Sequence, residues 1–287
     1  MAAISQLAIY PVKSCAGIAL TEATIGRAGL ESGGVGDREW MVVNHAGDFL
    51  TQRQHPRMAL IVPLLEAGVL RLSAPGMDDL LVPLGDFSLR VPDLGVRVWN
   101  HACAAFDEGT LASQWLSDYL KMPARLARFD ASHARLSNRI TTGDVEALNR
   151  FSDGYPLLIL SDASLAYLNR RLKQAGREPL PMDRFRPNIV INGVEAHDED
   201  RLSALRIADA GGNGAGDIEL RPVKPCPRCP IPSIDQRTGE PGPDPLDILA
   251  RYRGSADGVL FGQNAVVVRG FGARLRVGQR IDEEWNF

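Results

Sequence analysis

Lysine is nearly missing from this chain of 287 residues: only Lys13, Lys121, Lys173 and Lys224 stand among its 32 basic side chains. Positive charge is therefore almost all arginine, which suits rigid, bidentate phosphate contacts. It forms no basic stripe with interleaved aromatics, and the formal net charge is −3, so nucleic acid is not an expected partner. Cysteine is scarce too; four in this length do not make a disulfide framework. No apolar run approaches the ~20 residues of a membrane helix. The first apolar run stops at Pro11 with no basic region before it, unlike a signal peptide. Neither a Walker nor a Rossmann glycine loop is present, and the five histidines lack metal-ligand spacing. A cytoplasmic protein with no membrane partner is the expectation.

What is present reads as an ordinary globular chain, 45% hydrophobic and 23% charged, long enough for one large or two intimate domains. Short apolar runs between Gly and Pro predict strands over residues 4–10, 19–25, 39–44, 49–51, 60–65, 69–72, 80–84, 87–91 and 96–100. Glu66-Ala67-Gly68 fits a hairpin turn. Residues 110–121 predict a helix with Leu111, Trp115, Leu116, Tyr119 and Leu120 on one face. A strand at 125–129 follows, then a polar stretch over 130–144 that fits a linker or lid. Further strands are predicted at 155–160, 189–191, 202–207, 218–220, 259–260 and 265–268. A helix over 163–174 is capped by Asp162 and ended by Gly176, and Asp244-Pro245 opens another over 246–253. The sum is a mainly β protein with peripheral helices, a barrel or sandwich.

The chemistry concentrates in one stretch. Ile218, Leu220 and Val223 lead into Cys226, Arg228 and Cys229, with prolines at 222, 225, 227, 230 and 232. Proline neither continues a helix nor donates to a sheet ladder, so a stiff loop at a strand end is expected. A zinc site would need more ligands, and Cys15 and Cys103 are isolated. A redox pair would want a helix after Cys226, which the prolines forbid. A thiolate holding a soft metal carried by a cofactor fits, with Arg228 favouring the thiolate or holding an anionic group. Two incidental surface thiols fit the spacing as well.

The loop resembles that of MOSC domains (molybdenum cofactor sulfurase C-terminal domains), most of all the YcbX and mitochondrial amidoxime-reducing component branch. The supporting blocks keep their order: Ile9-Tyr-Pro-Val-Lys13-Ser14-Cys15, Gly36-Asp-Arg38-Glu-Trp40, Thr51-Gln-Arg53-Gln, Gly154-Tyr155-Pro-Leu-Leu-Ile-Leu-Ser161, Arg184-Phe-Arg186-Pro-Asn188, the Cys226/Cys229 loop and Leu260-Phe-Gly-Gln263-Asn264. The resemblance implies a MOSC-type β-barrel over 125–287 preceded by a β-rich N-terminal domain over 1–124. It implies a molybdenum cofactor (Mo-molybdopterin) with Cys229 as the metal ligand and catalytic thiolate. Lys13, Ser14, Arg38, Arg186, Asn188 and Arg228 would surround the cofactor, joined by Arg53, Tyr155 and Gln263. Glu195, standing where the branch usually has Asp, would relay protons; Pro232-Ser233 replaces the usual Thr-Thr.

The implied activity is reduction of N-hydroxylated compounds. Its electrons would come from a separate ferredoxin- or cytochrome-like system, since the cysteines cannot also hold an iron–sulfur cluster. A non-catalytic carrier of the cofactor, or of sulfur as a persulfide on Cys229, is the alternative. A structural metal at Cys226 and Cys229 is a third reading.

Overall fold

The computed structural model describes residues 1–85, 90–211 and 216–286. As expected, the fold is mostly β: four sheets with four α-helices at the periphery among the described residues. The largest sheet runs Asp282–Trp285, Leu202–Ile207, Ile218–Pro227, Gly258–Arg269, Leu157–Ser161, Ile189–Asn192, Ala3–Ile9 and Ile18–Leu20. It curls round, because the lead-in to its last strand returns beside its first. Ile4 N–H donates to Gln279 O and Ile281 N–H to Ala2 O, both at 2.9 Å. Ile4, Leu7, Ile9, Ile159, Ile189, Leu205 and Leu220 fill the inside. A bulge between Ile4 and Gln6 shifts the alternation, so that Ile4 and Leu7 both face inward.

A second sheet orders Leu94–Val98, His101–Asp107, Arg125–Phe129, Trp40–Val43 and Val12–Lys13. The boundary expected at residue 124 does not divide the sheets. Arg125–Phe129 pairs back onto Trp40–Val43, Ala3–Ile9 pairs with Ile189–Asn192, and Arg274–Arg276 pairs with Glu22–Gly26. The two regions are interlaced.

Several local expectations are corrected. The proline-rich stretch is strand through Pro227, not loop. Beyond Leu220 its recorded pairing is to Gly258–Arg269 alone, with register shifts at 222/224 and 225/227. An edge with bulges is where a sheet tolerates proline. The two short strands expected at 259–268 are one, Gly258–Arg269, passing through Gly262 at φ +82°. A Cβ there would meet Ile159 O at 2.9 Å, so only glycine fits without displacement.

In the Thr110–Leu120 helix Leu111 is 83% exposed, and Ala112 takes its place on the packed face. The Asp162–Gln174 helix is capped by Ser161, whose Oγ accepts from Ser164 N–H at 3.1 Å; Asp162 lies in the first turn. Residues 19–25 form two strands in different sheets, and 49–51 contribute only a bridge from Phe49 to Val43. The strand His101–Asp107 was not anticipated. The 87–91 strand falls largely on residues 86–89, outside those described. No helix among the described residues is long and apolar enough to cross a membrane.

Candidate functional site

A cleft of about 320 Å³ opens where the N-terminal and C-terminal parts of the chain meet. Nine of the residues singled out from sequence line it: Lys13, Ser14, Arg38, Arg53, Tyr155, Arg186, Asn188, Arg228 and Cys229. Lys224 and Cys226 join them. Among the described residues the cleft thus has six cationic side chains, Lys13, Arg38, Arg53, Arg186, Lys224 and Arg228, and one lining carboxylate, Asp153. In a chain with net charge −3 this is a local inversion of sign, suited to an anionic ligand.

The bulged end of the edge strand and the residues just past it bring Lys224, Cys226, Arg228 and Cys229 to the cleft. Arg228 is fixed at both ends of its fork: Nη2–H donates to Phe185 O at 2.8 Å and Nη1–H to Cys226 Sγ at 3.4 Å. Cys229 follows, just before the short turn of Ile231–Ser233. Both thiols are free and half-buried. The donor Arg228 therefore engages the Cys226 sulfur, whereas no hydrogen bond to Cys229 Sγ is recorded among the described residues. No group of three or more His, Cys, Asp or Glu that could hold a metal occurs among those residues. The structural-metal reading thus has Cys226 and Cys229 but no further ligand beside them among the described residues.

The opposite wall is built from strained backbone. Ser14, Arg38 and Arg186 have φ of +66°, +49° and +57°, half of the six non-glycine residues with positive φ among those described. Such strain persists where surroundings over-determine it, and here they do. Gln52 Nε2–H donates to Ser14 O at 2.9 Å, and Arg186 Nη1–H donates to Cys15 O at 2.6 Å. Arg38 pairs with Asp37 and donates to Asn188 Oδ1 at 3.4 Å. Asn188 in turn accepts from Leu158 N–H at 3.1 Å and donates to Ala8 O at 3.3 Å, tying three strands together behind the cleft.

Arg186 is buried, and its Nη2 has no partner. Burial, with Arg38 nearby, pushes its guanidinium down to about 10, still charged near neutrality. A buried cation with an unused donor is costly unless something anionic completes it.

Lys13 is buried under Phe49 and ends on two oxygens, Phe151 O at 2.8 Å and Asp153 Oδ1 at 2.6 Å. Burial holds its ammonium below the usual lysine range, against the pull of Asp153. Asp153 is exposed on the rim of the cleft, its side chain 71% accessible, while the Lys13 ammonium it meets is buried. Crowding by the surrounding protein works against its charge, but the Lys13 ammonium and the Trp99 indole outweigh that, and with one side of the carboxyl open to water they hold it below the carboxylate range. Sequence reasoning missed Asp153. The signal was present: like Arg186-Pro187-Asn188, it stands directly before a buried strand.

Two candidates fall elsewhere. Glu195 is exposed in the turn after Ile189–Asn192, its N–H donating to Asp198 Oδ2 at 3.0 Å. Asn188 marks the cleft end of that strand, and the strand's length puts its other end about 13 Å away, so Glu195 turns outward from the wrong end. Gln263 is buried and donates to Asp200 Oδ1 at 2.7 Å. Its neighbour Asn264, opposite Lys224 in the ladder, lines the cleft instead. One residue along a strand reverses the face.

The donor set fits a molybdenum–pterin cofactor: two accessible thiols for a soft metal, and a cationic cradle with an unpaired guanidinium N–H for the pterin phosphate. Comparisons with known proteins give the family. Residues 1–123 match the MOSC N-terminal beta barrel domain and residues 147–282 the MOSC domain. Mitochondrial amidoxime reducing component 2 of Homo sapiens is 36% identical over 254 residues, which span 87% of this chain and 72% of that protein. Mitochondrial amidoxime-reducing component 1 of Mus musculus is 38% identical over 257 residues, 87% of this chain and 71% of that protein. The chain belongs to the MOSC domain family, on its branch of amidoxime-reducing components.

Proposed function

We propose that this chain is a molybdenum-cofactor-dependent oxidoreductase that reduces N-hydroxylated compounds with electrons from a separate donor protein. The observation that carries the reading is the cleft with six cations, one carboxylate and two thiols at its edge. The relatives' names, amidoxime-reducing components, supply the substrate class. The net change is an N–OH group taking up two electrons and two protons to leave N–H and water. When bound, the cofactor supplies the two-electron redox chemistry.

The chain's own residues bind, orient and supply protons. Cys229 is the protein's ligand to the metal. Arg186, Arg38 and Ser14 hold the anionic end, with Asn188 bracing the Arg38 guanidinium and Gln52 the Ser14 backbone. Asp153 and Lys13 share a proton-bearing contact inside the cleft and replace Glu195 as the groups placed to pass protons to a leaving hydroxyl. Arg228 positions Cys226, which is a neighbour and not the metal ligand.

The test is expression in a host that makes the cofactor, followed by molybdenum and pterin analysis and an assay with an N-hydroxylated compound and a chemical reductant. Near-stoichiometric molybdenum with turnover supports the reading. Stoichiometric cofactor without any turnover would leave a carrier, and absence of pterin under every loading condition would remove both.

A further inference from the structure

Trp99 is an unusual residue for its place. It begins the two-residue turn between Leu94–Val98 and His101–Asp107, where Val98 pairs directly with His101. Its φ is +55°. Tight hairpin turns of this kind favour Asn, Asp or Gly at such positions, and a bulky side chain there is strained. Burial does not compensate, because Trp99 remains 44% exposed.

The ring is nevertheless held. Its Nε1–H donates to Asp153 Oδ1 at 3.0 Å, the oxygen that also takes Lys13 Nζ. Phe49 meets it edge-on, with centroids 5.1 Å apart and planes at 70°. The Arg53 guanidinium carbon lies 4.9 Å from the ring centroid. These three residues border a cavity of about 440 Å³ that shares Phe49, Thr51 and Arg53 with the cofactor cleft. An anchored, partly exposed indole thus borders the cleft, with the Arg53 guanidinium over its ring and its N–H tied to Asp153.

We propose that Trp99, with Phe49 and Arg53, forms a stacking subsite for the aromatic part of the N-hydroxylated substrate. The subsite favours aryl over small alkyl compounds; this rests on the reductase reading above. A flat ring gains contact area and offset or edge-on packing against an indole and a guanidinium, and an alkyl group does not. The bond to Asp153 and the edge-on contact with Phe49 hold the ring beside the cleft wall that carries Lys13 and Asp153. Trp99 is a specificity-determining residue in this arrangement.

The probes are benzamidoxime and acetamidoxime, with the cofactor-loaded enzyme reduced by a dithionite-reduced viologen so that no donor protein enters. Trp99→Ala should lower the benzamidoxime-to-acetamidoxime ratio of kcat/KM about tenfold, mostly through KM, and Trp99→Phe should retain most of the preference. Binding is read separately as quenching of the chain's tryptophan fluorescence by benzamidoxime, saturable in the unsubstituted protein and lost in Trp99→Phe. An unchanged substrate ratio in Trp99→Ala, an equal loss for both substrates, or quenching that survives Trp99→Phe would overturn the subsite. Saturable quenching through Trp99 with reduction of neither compound would sink the reductase reading and leave the subsite standing.

Discussion

Arg38 and Arg186 share one tyrosine: their guanidinium carbons lie 4.3 and 4.2 Å from the centroid of the Tyr10 ring. Two like charges are thereby held close in a buried setting. Asp37 offsets one of them, and the Nη2 of Arg186 is left without a partner. The arrangement is poor for stability and good for receiving an anion.

An anion should therefore stabilise the cofactor-free protein. Inorganic phosphate is expected to raise Tm with the logarithm of its concentration above Kd, by about 5 °C at a hundred times its Kd. Arg186→Met should abolish that rise while changing stability without phosphate by no more than about 2 kcal/mol, since a strained, half-satisfied cation is exchanged for an apolar side chain of similar size. Thermal scans with and without phosphate read both effects; a rise that persists in Arg186→Met counts against this residue as the anion's ligand.

The two thiols should separate cleanly. Cys226→Ser is expected to keep molybdenum near stoichiometric with its protein sulfur ligand intact, because Cys226 is already engaged by Arg228. Cys229→Ser should lose that sulfur ligand and at least a hundredfold in turnover. Metal analysis with X-ray absorption at the molybdenum edge counts the sulfur donors directly.

Asp153 gives a pH signature. Its carboxyl is held below its unfolded value of 3.8, so just below that value the unfolded chain binds the extra proton. Its contribution to stability is present above pH 3.8 and lost as pH falls toward the lower folded value. Asp153→Asn should flatten the fall in stability over that window. Urea midpoints taken from pH 5 downward compare the two proteins, and parallel curves would argue against a depressed carboxyl.

Arg135 holds the cleft floor from behind. Its guanidinium donates to three carbonyls, Arg150 O at 2.7 Å, Ser152 O at 2.6 Å and Asp153 O at 3.1 Å, and the residue is buried. Arg135→Ala strands these acceptors and should cost about 3 kcal/mol. Cofactor retention should fall with it, because Ser152 and Asp153 line the cleft. Denaturant unfolding gives the first quantity and molybdenum content after dialysis the second.

Much of this site was legible because it is written in short local blocks. Lys13-Ser14, Arg38, Arg186-Pro187-Asn188 and Cys229 each stand at the end of an apolar run, and the fold brings those ends together. The errors came where pairing between distant segments decides. Glu195 and Gln263 sit in suggestive blocks, but strand length and strand face carry them away. The prolines before Cys226 read as loop until one sees that only one neighbouring strand binds that edge. Leu111 matched the helical period, yet its side of the helix is exposed. Trp99 carried no signal at all; its importance lies in a turn conformation and a bond to a residue far along the chain.

The first strand, Ala3–Ile9, pairs with the nearby Ile18–Leu20, but its other partners, Ile189–Asn192 and the segment around Gln279, lie far along the chain. On the ribosome it emerges early and, at 5–20 residues per second, waits roughly 10 to 40 s for residue 192. Until then the growing chain carries an unfinished apolar edge, and its first-made segment is among the last to be locked in place. Slowing translation beyond residue 124 would lengthen that exposure, so synthesis rate, as well as the finished fold, bears on how much of this protein a cell recovers.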